Sequence, residues 1–342
     1  MIHPRGGLRF GLAVVLLAGA SIAVSQSPAA DQQPEASAPK PVEGRLKLDA
    51  VVTDAAGKPV PGLTKQDFTL LDNERPQTIA SFRAVDGASE QPVEIVLVID
   101  LVSSTAEDVA AMRTQLGKYL RQNDGHLANP VLMVLFAADG LQVQSQPSSD
   151  GNGLAKAVDG LKAAGAPGEA SAQFDQSLEA LTAVADIESK RPGRKILIWT
   201  GKGWPVPKAD DPNMSMGEND ANIGALVALT NKMREARIIL FGGDPAFHRD
   251  PNEGMTNLQK LDPGALSLGA LALRTGGRGL SRNDFAGDIG RAVSSVSPYY
   301  VLSFDPPAGD KPDDYHALKL NVNQPKLAAR TTAGYYSEPP EQ

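Results

Sequence analysis

The alternation of apolar and polar positions changes rhythm twice along this chain. In VEIVLVIDLVSST, residues 93–105, apolar side chains run unbroken from Ile95 to Ile99, and Asp100 with three hydroxyl residues follows. An unbroken apolar run of that length marks a strand buried on both faces, as in a parallel sheet covered by helices. PVLMVLFAA (130–138), KILIWT (195–200) and RIILF (237–241) repeat the pattern. Between these runs the spacing becomes helical. Residues 107–121 place Val109, Met112, Leu116, Tyr119 and Leu120 on one face, behind Thr105 as N-cap. Asp108 stands where a capping box prefers Glu or Gln, so the box looks imperfect. Helices are also expected over 154–161, 174–187, 223–236, 263–275 and 285–296, with short strands over 141–146 and near 279–281. Strand alternating with helix specifies an α/β domain with a doubly wound, mostly parallel, Rossmann-like sheet.

On either side of this region the period is two. LKLDAVVTD and DFTLLDNERPQTIASF are split by the turn AGKPVPG. After Ser297-Pro298 come YYVLSFDP, HALKLNVNQP and AARTTAGYY. Such segments read as short antiparallel strands. Each group is too small and too poor in aromatics to bury a core alone. The two groups are therefore expected to pair into one β-sandwich beside the α/β domain, through contacts of 46–52 or 68–71 with 301–304 or 318–322.

The first residues bear on compartment. Arg5 and Arg9 precede an apolar run over 10–24, and Ala23-Val24-Ser25 suits a cleavage site, so 1–25 reads as a secretory signal. The run falls short of the roughly 20 residues that span a bilayer, which leaves an uncleaved anchor as the alternative. Pro28, Pro34, Pro39 and Pro41 mark 26–41 as a linker with no core to bury. The domain plan is then a β unit at 42–91, the α/β domain at 92–297, returning strands at 298–337 and a tail at 338–342, in an exported protein, periplasmic or secreted. The length of 342 residues accommodates this plan. A net charge of -7 argues against a nucleic-acid partner. The absence of cysteine removes disulfides, thiolate metal sites, a cysteine nucleophile and a lipid-modified N-terminus.

Asp100 sits at the carboxyl end of its strand, the edge at which open α/β sheets bind ligands. An apolar strand, then Asp100 with Ser103, Ser104 and Thr105, then alternating α/β, resembles a von Willebrand factor type A (vWA) domain. VVTDAAGKPVPGLTKQDFTLLDNERPQTI ahead of it, with YYVLSFDPP and AGYY behind, resembles more closely the VWFA-related family called acidobacterial, over residues 44–337. The resemblance implies the fold and implies Mg2+ or Mn2+ held through Asp-x-Ser-x-Ser, a Thr on a second loop and an Asp on a third. Hard cations of this kind take oxygen ligands, and Mg2+ uses one or two carboxylates with several waters. Carried over residue by residue, the metal candidates are Asp100, Ser104 and, on the second loop, Ser171 where the family has Thr. Val102 replaces the first Ser, Gly201 takes the place of the second acid, and Lys202 adds a positive charge. The metal site is therefore expected to be degenerate and no cofactor is expected, with Mg2+ or Mn2+ as the alternative.

The same residues have simpler uses. Asp100 can organise its loop, and Ser103, Ser104 and Thr105 can cap the following helix. Asp244 can be a turn residue and Asp210 and Asp211 solvated loop charges. Trp204, beside Pro205, can pack locally or anchor a partner, since interfaces favour rigid aromatics; Trp199 lies at a strand end. The first strand is followed by no glycine loop, and no Walker A, Gly-x-Ser-x-Gly or His-Glu-x-x-His sequence occurs; His3, His126, His248 and His316 are scattered singly. The expectation is a non-catalytic exported protein-binding or scaffold protein. Its partner would be a protein met by Asp100, Ser103, Ser104, Trp204 and Asp244, and a membrane would be met only through the export signal. A metal-dependent adhesion module is the alternative, and a hydrolase or oxidoreductase on the same scaffold a more distant one.

Overall fold

The computed structural model describes residues 45–85, 93–163, 170–201, 216–242, 268–280, 284–307 and 313–337. The expected signal and linker lie outside them. The amino-terminal unit supplies β1 (Leu46–Thr53), β2 (Phe68–Asp72), β3 (Arg75–Gln77) and β4 (Ser81–Val85). The α/β region runs β5 (Glu94–Asp100), α1 (Ala106–Leu120), β6 (His126–Ala137), β7 (Gly140–Val143), β8 (Ser148–Asp150), α2 (Gly151–Asp159), α3 (Ala170–Ser189), β9 (Lys195–Thr200), α4 (Met216–Glu235), β10 (Ile238–Gly242), α5 (Leu268–Arg274) and α6 (Phe285–Ser294). β11 (Tyr299–Phe304), β12 (Tyr315–Val322), β13 (Ala328–Arg330) and β14 (Gly334–Tyr336) close the chain.

The central sheet has the order β10-β9-β5-β6-β7, with β8 beside β6. β10, β9, β5 and β6 are mutually parallel, and β7 turns back antiparallel on β6. Period two sorts its side chains onto two helix-covered faces. Val96, Val98, Leu132, Val134, Leu197, Trp199 and Leu240 share one core with Leu181 of α3 and Met233 of α4. Ile95, Leu97, Ile99, Ile196, Ile198 and Phe241 share the other with Leu116 of α1, Val158 of α2 and Ile289 of α6. Burying one such aliphatic side chain contributes roughly 1.5–3 kcal/mol. This is a doubly wound, mostly parallel α/β sheet covered by helices on both faces.

The two flanking groups of strands interleave. One sheet has the order β13-β1-β11-β4 and the other β14-β12-β2-β3, so each contains strands from both ends of the chain. The pairing aligns Leu46 with Phe304 and Leu320 with Leu70. Leu48, Phe68, Leu70, Tyr300, Leu302 and Leu320 fill the space between the sheets. The sandwich is joined to the α/β domain at several places, among them two with large buried side chains. Tyr315 and Tyr336 enter the core shared with α3 and α4. Asp49 of β1 accepts from Arg237 Nε at 3.0 Å and Nη2 at 2.8 Å and lies 3.5 Å from Arg194 Nε. The buried Arg194 guanidinium sits 4.5 Å over the Tyr299 ring and donates to the Val296 carbonyl at 2.6 Å.

Several boundaries differ from the sequence reading. α3 and α4 begin earlier than the apolar spacing indicated, at Ala170 and Met216, because the sequence of their first turns has no apolar periodicity to announce them. β6 begins at His126 rather than Pro130, and the strand expected near 279 is a single bridge between Arg278 and Phe241. The capping box of α1 is complete: Asp108 Oδ2 accepts from Thr105 N at 2.9 Å, and Thr105 Oγ1 accepts from Asp108 N at 3.2 Å. The shorter acid reaches as well as Glu would.

Candidate functional site

β5 is central and buried from Ile95 to Asp100, so it delivers Asp100 to the carboxyl edge with no exposed surface. Asp100 has the parity of Val96 and Val98 and therefore faces the α3–α4 side. On the neighbouring strand Trp199, paired with Val98, faces the same way. The indole Nε1 donates to Asp100 Oδ2 at 3.2 Å. Ser103 Oγ donates to the same oxygen. The backbone N–H groups of Val102 and Ser103 donate to Oδ1, each at 3.0 Å. Four donors from the chain itself thus surround one carboxylate. Burial holds the Asp100 carboxyl above the usual carboxylate range, and the donors from Ser103, Trp199 and Val102 offset only part of that rise.

The three hydroxyls divide their work. Only Thr105 caps α1. Ser103 is spent on the Asp100 side chain, and Ser104 Oγ donates to the Asp100 backbone carbonyl at 2.6 Å. The reading of Ser103 and Ser104 as helix caps is therefore corrected: both bond backward to the strand end. Asp100 and Ser104 are fully shielded and Ser103 is buried, so all three shape the edge from beneath.

Gly201, directly after β9, stands where the resemblance would place a second acid. Its φ is +129°, and a Cβ there would lie 3.0 Å from Asp100 Cβ and 3.2 Å from Oδ2. A side chain at 201 needs both a strained backbone and the space that Asp100 occupies. Thr200 beside it points the other way, its Oγ1 donating to the Val98 carbonyl at 3.1 Å.

Among the described residues, the oxygens around Asp100 are already committed to hydrogen bonds within the chain, which does not fit the open oxygen ligands a divalent cation needs. Both Asp100 oxygens are saturated, Ser103 and Ser104 are committed, and glycine holds the third-loop position. Ser171 falls in the first turn of α3, and its side chain lies outside the described residues. Trp204, Asp210, Asp211 and Asp244 also lie outside them. Among the described residues no group of three or more His, Asp or Glu could hold a metal ion, and no helix is long and apolar enough to cross a membrane.

A feature the sequence reading passed over is a second buried polar group, in the sandwich. Asp72, at the end of β2, accepts from Tyr335 Oη at 2.7 Å and pairs with His316 Nδ1 at 2.9 Å. The His316 and Tyr335 rings stack at 4.7 Å between centroids, and His316 Nε2 is buried without a partner. Burial and the bond to Asp72 raise the Tyr335 hydroxyl pKa. The signal was present as Asp72 and His316 on opposed strands, but only the β2–β12 register brings them together.

No protein-family model matches the chain, and no curated protein matches it. Solved structures do. The pilus adhesin SpaC from Lactobacillus rhamnosus GG, in an open conformation, aligns over 82% of this chain and 49% of its own, at 11% identity and a TM-score of 0.38. The SpRpn10 VWA domain aligns over 45% of this chain and 77% of its own, at 13% identity and a TM-score of 0.27. The human COPII-coat protein Sec24c aligns over 72% of this chain and 44% of its own, at 10% identity and a TM-score of 0.34. This chain spans about half the length of the adhesin it matches.

Proposed function

We propose that this is an exported, non-catalytic protein-binding or scaffold protein of the VWFA-related type, with a metal-ion-dependent adhesion site that has lost its ion. The observation carrying this reading is the Asp100 carboxylate. It is buried and accepts from Val102, Ser103 and Trp199, so the chain's own donors take the place of a cation. Binding then rests on the surface of the loops beyond β5, β9 and β10, and a protein partner is captured without a bridging ion. Trp204 and Asp244 are the residues of those loops proposed to meet it. The signal pattern in 1–25 supports export.

The test is thermal unfolding in EDTA, Mg2+ and Mn2+. A cation at 100 times its dissociation constant adds about 2.7 kcal/mol, which for a domain of this size moves the midpoint by very roughly 5–10 °C. The reading expects no shift. A shift of that size, lost in Asp100→Ala, establishes the metal-dependent adhesion module instead.

A further inference from the structure

Glu188, in the last turn of α3, has a side chain wholly shielded from solvent, and neither of its carboxylate oxygens accepts a hydrogen bond. The cations nearby spend their donors elsewhere. Lys195, at the start of β9, gives its ammonium protons to the carbonyls of Glu188 at 2.7 Å, of Ala236 at 3.2 Å, and of Arg191. It thereby closes the carboxyl ends of both α3 and α4. Arg191 donates through Nη2 to Glu94 Oε2 at 2.8 Å and approaches Glu188 Oε2 only to 3.7 Å. Glu94, at the start of β5, has its other oxygen buried without a donor as well. Arg237, beyond α4, acts on this corner through its charge on Lys195. Three carboxylate oxygens, two of Glu188 and one of Glu94, are thus enclosed with no donor. A carboxyl group in that position lowers its free energy by keeping its proton.

We propose that Glu188 carries a proton in the folded protein up to near-neutral pH, and that loss of this proton as the pH rises past neutrality loosens the corner joining α3, β5 and β9. The corner anchors one end of α3, a helix of 20 residues and so about 30 Å long. Ser171 lies in the first turn at its other end.

Burial, and next the charge of Glu94, raise the Glu188 carboxyl from 4.5 to about 7, against the opposing charges of Arg191 and Lys195. The sign follows from linkage. The folded state holds this proton more tightly than the unfolded chain, so the stabilisation is complete below pH 4.5 and is lost as pH rises through about 7. Between those limits the unfolding constant changes by about two powers of ten.

The experiment follows the full chain by urea unfolding from pH 4 to 9, for the parent protein and Glu188→Gln, with the Glu188 carboxyl carbon titrated by 13C NMR. The parent is expected to lose about a hundredfold in folding equilibrium relative to Glu188→Gln as pH rises across the window. The NMR midpoint is expected near 7 and falls in Glu94→Gln, a movement that a purely structural role would not produce. Parallel pH profiles for the two proteins, or a midpoint near 4.5, the ordinary glutamate value, overturn the proposal. Should Glu188→Gln fail to fold, the titrations of the parent and of Glu94→Gln decide it.

Discussion

Two fully buried carboxyl groups stand at opposite edges of one parallel sheet and are provided for in opposite ways. Asp100, at the carboxyl edge, receives donors from Val102, Ser103 and Trp199 on both oxygens. Glu188, at the amino edge, receives none, although Arg191 and Lys195 stand beside it. Burial raises both carboxyls. What separates them is where the surrounding N–H and O–H groups point. A strand end followed by a tight loop and a helix start offers free backbone donors, and Asp100 collects them. A helix end followed by a turn offers free carbonyls, and Lys195 serves those in place of the neighbouring acid. Asp100 has hydrogen-bond donors on both oxygens that offset part of the cost of burial, whereas Glu188 has none.

Substitutions sharpen this contrast. Asp100→Ala has the largest expected effect: it strands the buried indole and the loop N–H groups together and should cost about 3–5 kcal/mol in urea unfolding. A loss below 1 kcal/mol would remove the organising role assigned to this residue. Asp72→Asn probes a third buried acid, with two donors in place of four. It should cost about 2 kcal/mol, because the new amide N–H meets a donor that the carboxylate accepted. Gly201→Ala should cost about 1–2 kcal/mol through its positive φ and its approach to Asp100. Gly201→Asp, which restores the missing acid on paper, should gain no Mg2+-dependent shift in unfolding midpoint. Thr105→Ala should cost about 1 kcal/mol as the loss of the α1 cap, and helix content by circular dichroism should fall only slightly.

Much of the fold was legible in the residues. The runs at 95–99, 131–136, 196–199 and 238–241 are apolar at every position that two helix layers cover, so a pattern without alternation signalled the parallel sheet. The flanking segments alternate because each strand has one face toward the sandwich core, as Leu46, Leu48 and Ala50 do. Element ends were less legible, since the first turns of α3 and α4 carry no apolar stripe. At the site, the replacement of the second acid by Gly201 and the loop-organising use of Asp100 could be read directly. The Trp199 bond could not, because it depends on the β5–β9 register, which sets Val98 against Trp199 and so turns both Asp100 and the indole toward one face. The Glu188 corner was hidden for a similar reason. An acid near a helix end reads as a solvated charge until the turn into β9 folds Lys195 and Arg191 over it.

The most direct test of the Asp100 account is the indole N–H resonance of Trp199 in a 1H–15N spectrum, where the chain's two tryptophans give two signals and Trp199→Phe assigns them. The account predicts a Trp199 signal that exchanges slowly with solvent and keeps its position and width when stoichiometric Mn2+ is added. Selective broadening of that signal by Mn2+, reversed by EDTA and absent from Asp100→Ala, would place a cation beside Asp100 and contradict it.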